Sequence, residues 1–363
     1  MPIKQKLPDG VPPLTTFYMY ITAGCNLACR HCWLTPTFEP EGSTGQCLDY
    51  DLFKIAIDEA LPLGLTSIKF TGGEPLLHPD FKQMVDYASE KGIKTWMETN
   101  GTLLTQRLAK HLKQNSSMFT ISVSLDGSTA ATHDYLRNVP GSFNQALSGI
   151  KYLVKAGYKP QVVLSIYRDN KDEVESFIDL AVEIGCNSVK FNIIQSSGRA
   201  LQMEKNKDLL TIEELIHLGN WVEKDLQKRS PIPLFYSWPR AFHGIKRLHH
   251  SQGEICNIFN ILGILSSGDM AMCGIGTQEK DLIYGQLGQD DLFKVWCYHP
   301  GLDHLRQVIP DSLEGICSDC IFKRSCLGTC VAQNYHSQKR LTAPYWFCDQ
   351  AERTGLFPPN RRC

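Results

Sequence analysis

The 363-residue sequence has no apolar run long enough to span a bilayer, and its start, MPIKQKLPDGVPPLTTF, lacks the apolar stretch of a secretory signal. Membrane insertion and export are therefore not expected, and the expected location is the cytoplasm. Charge imbalance is missing too. Lys and Arg number 37 against 38 Asp and Glu, so nothing electrostatic points to nucleic acid or an anionic membrane as partner. What remains is an ordinary globular composition, 42% apolar and 21% charged, long enough for one large domain and one smaller one.

Cysteine is missing locally. Of fourteen, only Cys186 lies between Cys47 and Cys256, and nine lie from Cys256 onward. In a reducing cytoplasm such a number favours metal ligation or redox chemistry over disulfides. The cysteine-poor middle reads as a scaffold with metal centres at its two ends.

That middle alternates. Short β-rich runs (TFYMYITAG, SIKFT, IKTWMETNG, SMFTISVS, QVVLSI, SVKFNI) are separated by segments with helical spacing of apolar residues, such as DYDLFKIAIDEALPLG and QALSGIKYLVKAG. This is the pattern of parallel βα units. About six strands fall short of the eight of a closed barrel, so the expected fold is α/β, a partial (β/α)6 TIM-like barrel. The expected boundaries are a lead at 1–16, the barrel at 17–235 and a second domain at 236–363. In the latter, ILGILSSGDMAMCG predicts a hairpin turning at Ser267-Gly268-Asp269. The rest looks loop-rich, with metal staples supplying the stability that a small core lacks.

CNLACRHC places Cys25, Cys29 and Cys32 in the spacing CxxxCxxC. Three thiolates suit one corner of a cubane iron–sulfur cluster with one iron left open. A zinc ion borrowing His31 or a distant fourth ligand is the other reading. Downstream, GGEP (Gly72–Pro75) follows the strand-like SIKFT. Gly72 and Gly73 allow close backbone approach to a ligand, and Glu74 adds an acceptor for an ammonium group.

Together CxxxCxxC and GGEP resemble the radical S-adenosylmethionine (SAM) enzymes over residues 17 to about 200. The resemblance implies a [4Fe–4S] cluster on Cys25, Cys29 and Cys32, chelated at its fourth iron by SAM, with Gly72, Gly73 and Glu74 at the methionine ammonium. It further implies reductive cleavage of SAM to a 5′-deoxyadenosyl radical that abstracts hydrogen from substrate. TNG (Thr99–Gly101), SLDG (Ser124–Gly127) and HDYLRNVPGSF (133–143) fit the same family. By that likeness Ser124, Arg137 and Ser165 are candidate SAM contacts; a helix-capping serine or a surface ion pair is the plainer reading of each.

Toward the C-terminus, Cys256, Cys273, Cys317, Cys320, Cys326, Cys330 and Cys348 are similar in order to the SPASM extension of radical SAM enzymes that mature peptides and proteins. The likeness implies two auxiliary [4Fe–4S] clusters, three clusters in all. Cys317, Cys320, Cys326 and Cys348 would hold one, and Cys256, Cys273 and Cys330 the other. Sulfatase-maturing members have a further cysteine shortly after the first, where this chain reads NIFNILG. The Cys256 cluster is thus expected to keep an open iron, or to recruit Cys297 or Cys363. Cys47 and Cys186 read as ordinary thiols.

The expected function is oxidative modification, such as cross-linking, of a ribosomally synthesised peptide. The alternatives are a formylglycine-forming maturase or a small-molecule or tetrapyrrole radical SAM enzyme. Expected partners are a peptide or protein substrate and an electron donor such as flavodoxin or ferredoxin. Only 24 residues precede Cys25, too few for a leader-recognition module, so the expectation is either a separate recognition protein as a further partner or direct binding of the peptide by the barrel and the second domain.

Overall fold

Runs rich in β-branched and aromatic residues pair into strands, and the amphipathic segments between them cover the outer face as helices. The computed structural model describes residues 6–38, 45–244, 248 and 256–363. Six strands follow the expected segments: β1 (Thr16–Tyr20), β2 (Ser67–Thr71), β3 (Lys94–Thr99), β4 (Met118–Ser124), β5 (Gln161–Ile166) and β6 (Ser188–Ile193). They lie side by side in chain order and are all parallel.

Helices α1 (Tyr50–Ala60), α2 (Phe81–Glu90), α3 (Gln106–Asn115), α4 (Ala130–Arg137), α5 (Ser142–Lys155) and α6 (Val174–Glu183) make the connections. Several start on side-chain caps. Asp49 accepts from the Asp51 and Leu52 N–H groups, Thr105 from Leu108 and Thr129 from Thr132. Between sheet and helices lies a continuous apolar core, in which Phe53 of α1 stacks on Phe70 of β2 at 6.1 Å.

The sheet is wider than six strands. A three-residue strand, β7 (Leu234–Tyr236), adds parallel to β6 and is too short to leave a periodic signal. The expected hairpin forms from β8 (Ile261–Ile264) and β9 (Asp269–Ala271), with Gly268 at φ +86°, and β10 (Ile283–Gln286) follows. This hairpin joins the barrel's own sheet. β8 pairs parallel to β1, Thr16 opposite Ile261 and Met19 opposite Ile264, giving the order β10-β9-β8-β1-β2-β3-β4-β5-β6-β7.

The remainder is more helical than its turn-rich sequence suggested. Helices span Leu292–Tyr298, Pro300–Val308, Val331–Gln338 and Trp346–Arg353. Each is short, seven to nine residues. Trp296 and Phe347 are nevertheless fully buried, and the Trp296 indole donates to the Pro12 carbonyl at 2.9 Å, pinning this region to the chain's beginning. No helix of the described residues is long and apolar enough to cross a membrane.

Closed barrels fill their interior with layers of Val, Ile and Leu. Here the inward positions are mostly polar. Glu98, Ser122 and Gln161 share one register level across β3, β4 and β5 and line a cavity of about 1550 Å³. The apolar load falls on the outer face. Phe53→Ala is accordingly expected to cost about 3–5 kcal/mol, read as a fall in the urea midpoint.

Candidate active site

The chain leaves β1 and turns directly into CNLACRHC. Two backbone hydrogen bonds clamp this turn to the loop after β2: the Gly73 N–H donates to the Thr22 carbonyl and the Glu74 N–H to the Gly24 carbonyl, each at 2.9 Å. The contact requires glycine. A Cβ on Gly73 would sit 1.9 Å from the Gly24 carbonyl oxygen, and Gly72 adopts φ +124°. The buried Glu74 carboxylate accepts from the Thr99 hydroxyl (2.6 Å), the Asn100 N–H (2.8 Å) and the Leu76 N–H (3.2 Å). Burial outweighs these bonds and pushes its pKa up to about 6. Asn100 donates onward to Asn26 at 2.8 Å. GGEP, TNG and the cysteine loop are therefore one hydrogen-bonded unit.

The far side of the loop is held by α4. The Arg30 N–H and Nε donate to the Leu136 and Tyr135 carbonyls, both at 2.9 Å. Arg137, buried at the end of α4, lies 2.5 Å from Asp126 of the SLDG segment and donates to the Cys29 sulfur at 3.5 Å. Burial disfavours the Arg137 charge, but Asp126 and Cys29 outweigh it and raise its pKa. Asp126 is likewise held ionised, because Arg137 outweighs its burial. Its other oxygen accepts the Ser165 N–H at 2.7 Å. The Asp126 N–H donates to His133 Nδ1 at 3.0 Å, and His31 Nε2 lies 3.4 Å from the Ser165 hydroxyl. Burial, ahead of the Arg137 charge at His31, pushes both imidazoles down to about 4, so they are neutral at physiological pH. His31 Nδ1 has no hydrogen-bond partner among the described residues.

This donor set fits an iron–sulfur cluster. Cys25 and Cys29 are buried and Cys32 partly so. Burial, with neighbouring Cys29 and Glu74, pushes the Cys25 thiol up to about 12, and Cys32 is raised by the same cause. Such thiols ionise only against a bound cation. Among the described residues no three His, Cys, Asp or Glu side chains converge on one ion position. Tetrahedral zinc needs that convergence, whereas a cubane takes each thiolate on a separate iron.

The cavity links this site to the C-terminal cysteines. Ser124, Arg137 and Ser165 line it together with Cys256, Cys273 and Cys330. Burial, then Cys330, pushes Cys273 up to about 12, while the Lys69 ammonium pulls it the other way. Cys317, Cys320, Cys326 and Cys348 meet instead around a separate small pocket with Ile316 and Phe357. Burial pushes Cys317 up to about 12 and raises Cys348 well above the ordinary thiol range. Neither Cys297 nor Cys363 lines the cavity. Cys297 is buried in its helix among core residues, and the Cys363 N–H donates to Asp319 beside Cys320.

Three further contributors are Asp126, Tyr18 and Tyr20. Asp126 stood inside the SLDG segment, yet only its neighbour Ser124 was singled out. Tyr18 and Tyr20 also line the cavity. The alternation of β1, with Phe17 and Met19 fully buried on the opposite face, was the available signal.

Three outcomes follow from this geometry. Gly73→Ala is expected to cost about 2 kcal/mol or more and to lower iron retention at the first cysteine group, read by urea denaturation and iron assay. His133 ordinarily titrates near 6.5 but near 4 when folded. Between those values the unfolded chain takes up a proton that the folded chain refuses. Its contribution is complete above about 6.5 and declines as pH falls toward 4, a loss on the order of 2–3 kcal/mol. His133→Asn keeps an acceptor for the Asp126 N–H, so its urea midpoint is expected to fall less steeply with acidification. Cys297→Ser and Cys363→Ser are expected to leave the EPR spectra of the reconstituted clusters unchanged; altered signals would identify the missing ligand.

Comparison with known proteins agrees with this geometry. Residues 19–181 match the Radical SAM superfamily. The chain is 28% identical over 352 residues to the AdoMet-dependent heme synthase of Nitratidesulfovibrio vulgaris, covering 92% of this chain and 91% of that one. It is 27% identical over 335 residues to the mycofactocin maturase MftC of Mycobacterium tuberculosis, covering 91% and 81%. In fold it is similar to Streptococcus suis SuiB bound to precursor peptide SuiA, with a TM-score of 0.71 at 16% identity over 93% of this chain and 76% of SuiB. The region matched runs from β1 into α6 and carries both CNLACRHC and GGEP; the chain is an enzyme with a radical SAM domain over residues 19–181.

Proposed function

We propose that this enzyme oxidatively modifies, and in particular cross-links, a ribosomally synthesised peptide. The observation that carries the reading is the shared cavity: the SAM-side residues Ser124, Arg137 and Ser165 and the second cysteine group Cys256, Cys273 and Cys330 line one space. A substrate bound there sits between a site of hydrogen abstraction and a site able to hold a one-electron acceptor. That suits net oxidation. A relative named as a maturase and a similar fold solved with a precursor peptide supply the substrate class.

When bound, a [4Fe–4S] cluster and SAM supply the hydrogen-abstracting 5′-deoxyadenosyl radical. Cys25, Cys29 and Cys32 would hold that cluster. Glu74 retains lone pairs for the methionine ammonium beyond its three accepted bonds, beside the backbone of Gly72 and Gly73. Arg137, already beside Cys29, supplies fixed positive charge for a carboxylate. Neutral His31 presents a ring nitrogen to the same space. Cys317, Cys320, Cys326 and Cys348 would hold one auxiliary cluster, and Cys256, Cys273 and Cys330 another with an open iron. On this reading residues 17–235 form the SAM barrel and 236–363 the SPASM domain, after a lead at 1–16. The enzyme works in the cytoplasm with flavodoxin or ferredoxin as donor and a separate leader-recognition protein.

A second reading has its own support. The heme synthase relative is similar over nearly the whole of both chains, so a carboxylate-bearing tetrapyrrole is the competing substrate.

Anaerobic enzyme given SAM and dithionite is expected to form 5′-deoxyadenosine, and Cys25, Cys29 and Cys32 changed together to Ala should abolish it while iron stays at the C-terminal cysteines. Reconstituted protein should hold about twelve iron atoms, three cubanes. Peptides encoded beside the gene and an iron tetrapyrrole are offered in parallel. A peptide product of lower mass by two hydrogens supports the first reading, and tetrapyrrole decarboxylation alone replaces it with the second.

A further inference from the structure

Oxidative cross-linking releases a proton as well as an electron, and the cavity must hold a base to receive it. Among the described residues that line the cavity, the histidine and carboxylate side chains are His31, Glu98, Glu223 and His336. Glu98 is paired with Lys69 at 2.7 Å, and Lys69 and Lys190 outweigh its burial to hold it below the ordinary carboxylate range. Glu223 accepts from the Trp238 indole at 3.0 Å and contacts His243 at 2.5 Å. His31 lies inside the cysteine loop, facing Ser165.

His336 differs from these. It sits on helix Val331–Gln338, which begins immediately after Cys330 and presents Gln333 and His336, one turn apart, to the cavity. Its Nδ1 donates to the buried Glu279 at 2.7 Å. A carboxylate only accepts, so this bond fixes the proton on Nδ1 and leaves the Nε2 lone pair as the basic position. Glu279 is kept ionised because Lys339 and His336 outweigh its burial, and Lys339 bonds its second oxygen. Tyr335 ties the same helix to Asp281 at 3.0 Å. The titratable and charged groups facing this ring are thus Glu279 and Lys339, with Tyr335 and Asp281 behind and Cys273 and Cys330 on the cavity wall.

We propose that His336, oriented by Glu279, is the catalytic base that takes the proton released as the substrate is oxidised. This rests on the peptide reading above. In balance, a substrate R–H gives one hydrogen atom to the 5′-deoxyadenosyl radical. The resulting carbon radical bonds a nucleophile H–X of the same peptide. One electron passes to a one-electron acceptor of the iron–sulfur class, and the proton of H–X passes to Nε2, giving R–X. Glu279 is a positioning residue, holding the tautomer and stabilising the imidazolium.

The test measures product formed per 5′-deoxyadenosine in the reconstituted full-length enzyme with its peptide, from pH about 8 to about 5. His336→Gln is expected to lower this ratio about 10²-fold and to remove the acid-side decline of the wild-type profile. Glu279→Gln, which keeps an acceptor for Nδ1 without the charge, is expected to lower the ratio about tenfold; it carries the test alone if His336→Gln does not fold. Tyr335→Phe, which removes the neighbouring tie of the same helix, should keep the wild-type ratio and profile, so an equal loss there would assign the effect to helix docking and overturn the proposal. Unchanged ratio and profile in His336→Gln, with wild type active on peptide, would sink the assignment of His336 alone. Wild type that modifies no peptide but decarboxylates a tetrapyrrole, a reaction releasing CO2 and no such proton, would overturn the peptide reading and the base with it.

Discussion

A buried guanidinium has to be neutralised, and here that requirement organises the site. Arg137 reaches into the barrel mouth, 2.5 Å from Asp126, with Cys29 at its other edge. Removing either partner of such a pair typically costs 3–5 kcal/mol, because the other charge stays buried without compensation. Asp126 in turn orders the Ser165 N–H, while its own N–H engages His133 and its carbonyl accepts from Asn170. The ends of β4 and β5, helix α4 and the cysteine loop are thereby held in one arrangement. The guanidinium edge that faces Cys29 suits a site whose bound groups are thiolates and carboxylates.

Against that fixed side, the cysteine loop is closed from the other direction by two backbone bonds, with the Asn26 side chain tied to Asn100 beside them. The bonds from Gly73 to Thr22 and from Glu74 to Gly24 leave no room for side chains. Gly-Gly-Glu therefore has a structural duty beside any ligand contact: it docks the end of β2 onto the loop, and Glu74 passes the constraint to β3 through Thr99 and Asn100. A loop fixed at both flanks can present three thiolates at constant separation without a metal to gather them, the preorganisation that a precise site needs.

How far this was legible depended on the range of the interactions. Strands β1–β6 could be read because each is a β-rich run of five or more residues beside a helix of clear period. β7 could not, since three residues carry no period, and the union of β8 with β1 could not, since its partners lie some 245 positions apart and nothing local in ILGI specifies that neighbour. The first cysteine group could be read because ligands close in sequence impose narrow spacings, whereas the grouping of Cys256, Cys273 and Cys330, 17 and 57 positions apart, came only from the resemblance. Charges impose no such spacing. The Asp126–Arg137 pair, and Glu279 beside His336, join segments whose only common property is that the fold brings them together. A lone histidine in VAQNYHSQ gives no sign that a carboxylate from the loop at 274–279 will fix its tautomer.

The union of β8 with β1 has the wider consequence. β1 carries Tyr18 and Tyr20 inward to the cavity wall, and its exit feeds the first cysteine loop; its hydrogen-bonded neighbour β8 leads through the hairpin to Cys273. Packing repeats the link, since a Cβ on Gly274 would meet the Tyr20 ring at 2.3 Å. The first and second cysteine groups are thus separated by the geometry of adjacent strands of one sheet. A ladder of backbone hydrogen bonds opens far less readily than a linker between docked domains. Substrate must therefore fit a gap whose width is set before it arrives. In this open, mostly parallel sheet the polar layer of Glu98, Ser122 and Gln161 keeps the floor of that gap from collapsing into an apolar core. An eight-strand closure would have filled that space with side chains; six long strands and a short seventh leave it for a substrate.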